Sequence, residues 1–306
     1  MLGPTGSGKS QLALRLAETF RGQVVGCDSI QVYRGLDVGS AKLTPAERRG
    51  VAHHLIDIID PDGELTAGEY ARLARPTIRK IQANGFLPIV TGGTGFYLRA
   101  LLDGLSPAPT RDDKLRARLS TIAVRRPSAL HSLLSRRDPQ AAKRIHPNDH
   151  QKIIRALELS MMTGQPASDM QKLPRDAFHE ARVLKLGLAP DRSLLRNHLD
   201  ARVKRMFQNG LLEEAEALLK AHFSPELKPL QSLGYKQAVD IVRGRMSLDE
   251  AVRECQARTR QYAKRQMTWF RGESSVEWLT GFGTDDNVQE NAIAAGRNFL
   301  AAAENG

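Results

Sequence analysis

The feature that most constrains this chain is the glycine-rich segment near its start, Gly3-Pro4-Thr5-Gly6-Ser7-Gly8-Lys9-Ser10. It matches the pattern G-x-x-x-x-G-K-[ST], and the apolar periodicity of residues 11–20 predicts a helix directly after it, which is the setting that a phosphate-binding loop requires. The glycines allow backbone N–H groups to point at phosphate oxygens, Lys9 can bridge two phosphates, and the Ser10 hydroxyl can ligate Mg²⁺. A chance glycine-rich turn is the alternative, and the following helix argues against it.

Strands and helices alternate after this loop. Apolar runs predict strands over residues 23–27 and 86–90, and amphipathic periodicity predicts a helix over residues 68–84. This alternation is typical of an α/β fold, here a P-loop, kinase-like parallel sheet flanked by helices, whose ligands bind at the carboxyl ends of the strands.

The first strand of such a fold is almost absent. Only Met1 and Leu2 precede the loop, although a phosphate-binding loop normally follows a buried strand. We therefore expect that the start codon was assigned too late or that the N-terminus was lost, and that the sheet exposes a long apolar slot.

The middle of the chain has a different pattern. Residues 107–110 form a turn-rich break, and residues 112–170 look wholly helical and rich in Arg, Lys and His. We interpret this region as an all-helical insertion. A strand over residues 183–188 returns to the sheet, and helices are predicted over residues 192–210, 211–222, 235–243, 248–271 and 287–306. The predicted organisation is a core in two parts, residues 1–110 and 183–306, with an insertion domain at residues 111–182.

Two polar residues follow the predicted core strands. Asp28 comes directly after the strand at residues 23–27, and Thr94 lies in a glycine turn after the strand at residues 86–90. Because the carboxyl ends of parallel strands meet at one edge of a sheet, both side chains are expected beside the phosphate-binding loop. Asp28 is a candidate general base, and two alternatives stay open, a turn cap and a ligand to Mg²⁺ through water. Thr94 is by itself equally well explained as a helix cap.

The balance of charge points to a polyanionic partner. The chain has 45 Lys and Arg against 34 Asp and Glu, a formal net charge of +11. On the predicted helix over residues 248–271, cations lie along one side, at a spacing of seven, four and seven residues, and acids are scarce among them. A solvated charged face is the ordinary explanation, and we favour contact with phosphates. The cationic side carries Arg253, Arg260, Lys264 and Arg271, and Cys255, Tyr262 and Trp269 are expected to pack on the opposite side.

The pattern of cysteines and the hydropathy of the chain indicate its cellular compartment. Cys27 and Cys255 form no metal-binding or disulfide pattern, which favours the reducing cytoplasm. We also expect no secretory leader and no membrane span, because no apolar run approaches about 18 residues. We expect a monomer.

Six ordered motifs resemble a known family, the bacterial tRNA dimethylallyltransferases, over nearly the whole chain. The resemblance implies a P-loop core with a helical insertion. It also implies Mg²⁺-dependent transfer of a dimethylallyl group from dimethylallyl diphosphate to N6 of adenosine 37, next to the anticodon in the tRNA stem-loop, with release of diphosphate. The motifs are the segment 3–10, Asp28-Ser29-Ile30-Gln31-Val32-Tyr33, Gly92-Gly93-Thr94, His146-Pro147-Asn148-Asp149, Leu233-Gly234-Tyr235, and Thr259-Arg260-Gln261 through Lys264-Arg265-Gln266.

The resemblance also implies roles for individual residues. Lys9 and Ser10 hold the donor diphosphate and Mg²⁺, Arg202 assists with the diphosphate charge, and Asp28 takes the proton of the attacking amine with Thr94 beside it. Contact with tRNA is implied for four segments, residues 28–31, 151–155, 234–236 and Arg258 through Gln266, and Thr94 and Arg116 are also implied to lie near the RNA. Among these residues are Asp28, Ser29, Ile30, Gln31, Thr94, Arg116, Gln151, Lys152, Ile153, Ile154, Arg155, Gly234, Tyr235, Lys236, Arg258, Arg260, Lys264 and Arg265.

Two other functions remain as alternatives, a P-loop kinase of a small metabolite and an RNA-binding ATPase without group transfer. The basic helical insertion argues against the kinase. The strand at residues 86–90 ends in Thr91 and Gly92, where many nucleotide hydrolases carry the acid that holds their metal, and this argues against the ATPase.

Overall fold

The chain begins its first helix at the end of the phosphate-binding loop. In the computed structural model, which describes residues 1–304, α1 spans Lys9–Thr19. Gly8 precedes it at φ 84°, a left-handed conformation that glycine adopts without strain. The amino end of α1 therefore faces the loop, as the sequence predicted.

Three parallel strands form the sheet beside this helix. Strand β1 (Gly22–Gly26) lies between β2 (His53–His54) and β3 (Leu87–Thr91), with Val24 paired to His53 on one side and to Ile89 on the other. The strands predicted at residues 23–27 and 86–90 are confirmed to within one residue, and their carboxyl ends meet at one edge, as expected for an α/β fold.

A second, two-stranded parallel sheet follows later in the chain. Strand β4 (Lys185–Leu188) pairs with β5 (Val276–Leu279), with Lys185 opposite Val276. The first cluster of buried apolar side chains lies between these sheets, α1 and the last helix, and a second lies among the helices after β4. The remaining helices of the core are α2 (Ala67–Ala83), α3 (Gly95–Leu102), α9 (Arg192–Gln208), α10 (Leu211–Lys220), α11 (Tyr235–Val242), α12 (Leu248–Phe270) and α13 (Asp286–Glu304).

Met1 and Leu2 lie between the two sheets. Leu2 pairs in parallel with Gly187 of β4, and the amino group of Met1 donates to the Val90 carbonyl of β3 at 2.6 Å. These two residues occupy the line that a central strand would follow. Beside them is a cavity of about 410 Å³ with mostly apolar walls, to which Leu87 of β3 and Leu186 of β4 contribute. The apolar slot predicted from the sequence is present.

The helical part of the chain forms a unit of its own. The two compact units are Met1–Leu102 with Phe178–Gly306, and Asp103–Ala177. The helical unit thus begins and ends before the bounds predicted for the insertion, 111–182. The chain rejoins the core early because the Phe178 amide donates to the Leu102 carbonyl at 2.8 Å.

The helical unit consists of five helices around an apolar centre. Leu119, Leu130, Leu134, Ile153 and Leu157 are among its buried side chains. Within residues 1–304, no helix of either unit combines the length and the apolar composition needed to cross a bilayer. The helices of this unit are α4 (Asp113–Arg125), α5 (Pro127–Arg137), α6 (Pro139–Arg144), α7 (His150–Thr163) and α8 (Ala167–Met170).

Candidate functional site

The phosphate-binding loop curls around its own lysine. Gly6 and Gly8 have φ values of 74° and 84°, which L side chains rarely adopt. The Lys9 ammonium donates to the carbonyls of Gly3 at 3.0 Å and of Pro4 at 2.7 Å. Burial lowers the pKa of Lys9 to about 8, although the Asp28 carboxylate opposes that shift. The loop and the strand ends enclose a cavity of about 280 Å³, named here the loop cavity.

Asp28 uses its two carboxylate oxygens differently. Oδ1 accepts hydrogen bonds from the backbone N–H groups of Ile30 at 2.9 Å and Gln31 at 3.4 Å, so it caps the turn after β1. Oδ2 makes no hydrogen bond to the described residues and lies 3.6 Å from the position of a Cβ built on Gly93. Two of the three roles left open by the sequence, turn cap and general base, are therefore compatible within one side chain.

The glycine turn after β3 comes unusually close to its neighbours. A Cβ on Gly92 would lie 2.0 Å from the Cys27 carbonyl oxygen, and one on Gly95 would lie 2.2 Å from Nε1 of Trp269. Only glycine fits at these positions. The Thr94 hydroxyl accepts from the Ser29 N–H at 2.9 Å. Thr94 does not line the loop cavity. Thr94 thus holds the segment that follows Asp28.

Arg202 of α9 presents an unpaired guanidinium beside Asp28. Within residues 1–304, no carboxylate lies at ion-pair distance from it. Burial lowers the pKa of Arg202, and the Asp28 carboxylate raises it. Because an arginine stays charged at any physiological pH, this half-buried group is suited to receive an anion.

A second cavity opens on the other side of Asp28. It has a volume of about 470 Å³ and is named here the helix cavity, because α12 contributes Arg258, Tyr262 and Arg265 to its wall. Ser29, Ile30 and Lys236 line it as well. The two cavities meet, since Thr5, Asp28, Ser40 and Arg202 belong to both.

Helix α12 presents its cations differently from the sequence prediction. Its buried face includes Cys255, as predicted, but Trp269 is 37% exposed, so the prediction that Trp269 packs opposite the cations is wrong. Trp269 instead has the Arg99 guanidinium over its ring. On the predicted cationic side, Arg260 is paired with Asp200 at 2.5 Å. Arg265 lines the helix cavity, and Lys264 is exposed.

The remaining core positions tied to tRNA by the resemblance differ in accessibility. The Gln31 amide donates to the Ser40 carbonyl at 3.1 Å and lines the loop cavity. Gly234 caps α11 at φ 91°, and Tyr235 is fully buried, with its hydroxyl bonded to Glu214. Tyr235 therefore supports the fold at this turn.

In the helical unit, only some of the residues that the resemblance ties to tRNA are exposed, and the others are buried or paired inside the unit. Gln151 and Lys152 are exposed on α7, whereas the side chains of Ile153 and Ile154 are buried. Arg116 and Arg155 donate to the fully buried Glu158 at 3.1 and 2.8 Å. Burial alone would raise the pKa of Glu158, but the hydrogen bonds from Arg155, the Asp112 N–H and Arg116 lower it overall.

Ser40, His198 and Phe282 belong to the site although sequence reasoning did not single them out. Ser40 lines both cavities, and the tilted rings of His198 and Phe282 have centroids 5.3 Å apart. Tyr262 and Gln266 were expected only within the segment implied to contact tRNA, whereas Tyr262 lines the helix cavity and Gln266 contacts the phosphate-binding loop. No pattern within α12 indicates that Gln266 reaches the phosphate-binding loop. Ser40 and Phe282 come from loops without a motif, so only the fold brings them to the site.

The donor atoms present are compatible with magnesium bound together with a diphosphate. Within residues 1–304, no group of three His, Cys, Asp or Glu side chains could hold a metal ion alone. Mg²⁺ commonly takes one or two protein oxygens, substrate phosphates and water, so a cage is not required. The Ser10 hydroxyl at the wall of the loop cavity is one such oxygen.

Comparison with known proteins identifies the family to which this site belongs. A family profile described as "IPP transferase" matches residues 31–273. The chain belongs to the IPP transferase family. The "tRNA dimethylallyltransferase" of Solibacter usitatus is 53% identical to this IPP transferase over 298 residues, which cover 97% of each chain.

Solved structures support the same assignment. The tRNA isopentenylpyrophosphate transferase of Bacillus halodurans is similar to this IPP transferase with a TM-score of 0.71 and 35% identity, over 100% of this chain and 98% of that chain. A eukaryotic dimethylallyltransferase acting on tRNA is similar with a TM-score of 0.82 and 30% identity, over 98% of this chain and 78% of that chain.

Proposed function

We propose that this IPP transferase is a tRNA dimethylallyltransferase. It transfers the dimethylallyl group of dimethylallyl diphosphate to N6 of adenosine 37, next to the tRNA anticodon, and releases diphosphate. The observation that carries the proposal is the meeting of the two cavities at Asp28 and Arg202. A carboxylate that can accept a proton and a cation that can receive an anion lie where a donor and an acceptor entering from opposite sides would meet.

The diphosphate end of the donor binds in the loop cavity. The N–H groups of the loop, the amino end of α1 and the Lys9 ammonium surround the phosphates, and Arg202 faces them from α9. Ser10 would ligate Mg²⁺, which neutralises phosphate charge when bound. These groups stabilise the diphosphate as it leaves, and this lowers the barrier for breaking the allylic C–O bond.

The target adenine binds in the helix cavity after leaving its stack, at a cost of a few kcal/mol. N6 attacks the allylic carbon, the C–O bond breaks, and Oδ2 of Asp28 takes the proton that N6 loses. Tyr262 supplies an aromatic surface at the cavity wall. The Arg265 guanidinium, at the same wall, is available to phosphates of the RNA and offsets part of the cost of unstacking. Arg258 is paired with Glu254 at 2.5 Å.

The anticodon stem-loop also contacts the helical unit. Gln151 and Lys152 are the exposed candidates on α7, whereas Ile153 and Ile154 contribute through their backbone alone because their side chains are buried. We further propose that the protein acts as a monomer in the cytoplasm. Its cysteine pattern supports the proposed compartment. Light scattering of the purified protein tests the oligomeric state.

The decisive assay combines the protein with Mg²⁺, radiolabelled dimethylallyl diphosphate and unmodified tRNA. We expect label in the tRNA, located at adenosine 37 by nuclease mapping. A matched tRNA with guanosine at position 37 serves as the control and stays unlabelled. Absence of label, with ATP turnover instead, would contradict the proposed function and favour an ATPase.

A further inference from the structure

Gln266 of α12 is a buried polar side chain that contacts two separate parts of the site. It is 6% exposed. Its Oε1 accepts the Thr5 N–H of the phosphate-binding loop at 2.7 Å, and its Nε2 donates to the Gly93 carbonyl of the glycine turn at 2.8 Å. The orientation of the amide follows from chemistry, because a backbone N–H can only donate and a carbonyl can only accept.

The contact with Gly93 needs a glycine. A Cβ on this residue would lie 2.5 Å from Nε2 of Gln266 and 3.6 Å from Oδ2 of Asp28. Nε2 of Gln266 and Oδ2 of Asp28 thus both lie on the side of Gly93 that a Cβ would occupy. Tyr262, one helical turn before Gln266 on α12, lines the helix cavity.

These contacts connect two walls of the site through one side chain. Thr5 belongs to both cavities, and Gly93 lines the loop cavity. The distance between the phosphate-binding loop and the carboxylate therefore depends on an amide that is itself fixed by packing in α12. Displacements of about 1 Å in such a geometry can cost roughly a hundredfold in rate.

We infer that Gln266 is a positioning residue, which sets the phosphate-binding loop and Asp28 at the separation that group transfer requires. The inference rests on the proposed function. The side chain that the resemblance assigns to a segment contacting tRNA is thus committed to the interior of the site. Its contribution belongs to turnover and to binding of diphosphate, and binding of tRNA is independent of it.

The first test compares Gln266→Met with the wild type. Methionine has a similar length and keeps neither hydrogen bond. We expect kcat to fall by about 10- to 100-fold and tRNA affinity to stay unchanged. Calorimetry should show that the affinity for inorganic diphosphate is about fivefold weaker, which is the equivalent of one hydrogen bond. The matched control is Gln256→Met. Gln256 lies on the same helix as Gln266, and its side-chain amide donates to the backbone carbonyl of Asp200 at 3.0 Å. The control is expected to keep wild-type kcat.

The second test separates hydrogen bonding from simple packing. In Gln266→Glu the neutral acid can still accept from Thr5 and donate to the Gly93 carbonyl, whereas the carboxylate cannot donate. The activity of this variant relative to the wild type is expected to rise as pH falls, and the relative activity of Gln266→Met is expected to stay constant. A constant ratio for Gln266→Glu, or a wild-type kcat for Gln266→Met, overturns the inference.

A failure of the proposed function is distinguishable from a failure of the inference. A wild-type protein that labels no tRNA refutes the function alone. Diphosphate binding then decides on Gln266, because it requires no transfer, and equal affinities of the wild type and Gln266→Met overturn the positioning role.

Discussion

The cations of α12 allow a sharp test of how this protein binds RNA. Arg265 lines the helix cavity, and within residues 1–304 no carboxylate lies at ion-pair distance from it; its guanidinium lies 5.8 Å from the centre of the Tyr262 ring. Arg260 lies on the same helix, and its charge is neutralised by Asp200 at 2.5 Å. We expect Arg265→Gln to weaken tRNA binding through the loss of a phosphate contact.

The magnitude follows from the release of counterions. Each neutralised phosphate contributes about 0.7 to 0.9 to the slope of log K against log salt concentration. Losing one contact should therefore flatten the slope by about 0.7 to 0.9, which corresponds to roughly a threefold smaller loss of affinity between 50 and 200 mM salt. The charge of Arg260 is already neutralised by Asp200. Removing both side chains should therefore leave unchanged the number of counterions that tRNA binding releases.

Filter binding or fluorescence anisotropy with unmodified tRNA over this salt range measures the slope. The matched control is the double variant Arg260→Gln with Asp200→Asn, which removes one cation and one anion together and should keep the wild-type slope. The reasoning is refuted if Arg265→Gln keeps the wild-type slope, or if the double variant flattens it by the same amount.

Three further outcomes follow from particular contacts. In Asp28→Asn the amide oxygen can still accept from Ile30, so the turn is kept and kcat in the labelling assay should fall about 10²- to 10⁴-fold with tRNA affinity retained; near-normal turnover would exclude Asp28 as the base. Burial lowers the pKa of the Met1 amino group from 8.0 to about 6, so the unfolded chain binds more protons between these values. The free energy of unfolding should therefore rise by about 2 kcal/mol from pH 6 to pH 8. Fusing five apolar residues ahead of Met1 should remove this pH dependence and raise the melting temperature by filling the slot between β3 and β4. A glycine-serine extension should remove only the pH dependence, and equal melting temperatures for the two extensions would contradict the slot as the cause. Glu158→Gln should lower the free energy of unfolding of the helical unit by about 1–3 kcal/mol in denaturant titrations, because two arginines lose their buried partner. The control Asp169→Asn breaks the exposed ion pair of Asp169 with Lys172, 2.7 Å apart, and should cost less than about 1 kcal/mol. Equal losses in the two variants would contradict a larger contribution from the buried pair.

The local patterns of the chain were sufficient for much of the fold. The glycines of residues 3–8 require left-handed backbone, and the helix after them follows from its apolar periodicity, so the loop and α1 were predictable without any partner. The strands at Gly22–Gly26 and Leu87–Thr91 are short apolar runs, and their parallel pairing follows from the helix between them.

The faces of α12 were not predictable in the same way. A helical wheel gives the angles between side chains, but which face is buried depends on the elements packed against it. The wheel placed Trp269 on a packing side, and the structure exposes it beside Gly95 and Arg99. The pairing of Arg260 with Asp200 joins residues from two helices, and no spacing within one helix encodes it.

The phosphate-binding loop, the strands beside it and the carboxylate after the first strand follow from the sequence, because glycine conformations, apolar periodicity and the order of elements are local properties. The packing of the helices decides three further features: Oδ2 of Asp28 has no hydrogen-bond partner within residues 1–304, Arg202 has no ion-pair partner there, and Gln266 connects Thr5 to Gly93. The contacts of Gln266 join residues far apart in the chain, and the surroundings of Oδ2 and Arg202 depend on how α9 and α12 pack against the core, so no local pattern encodes them.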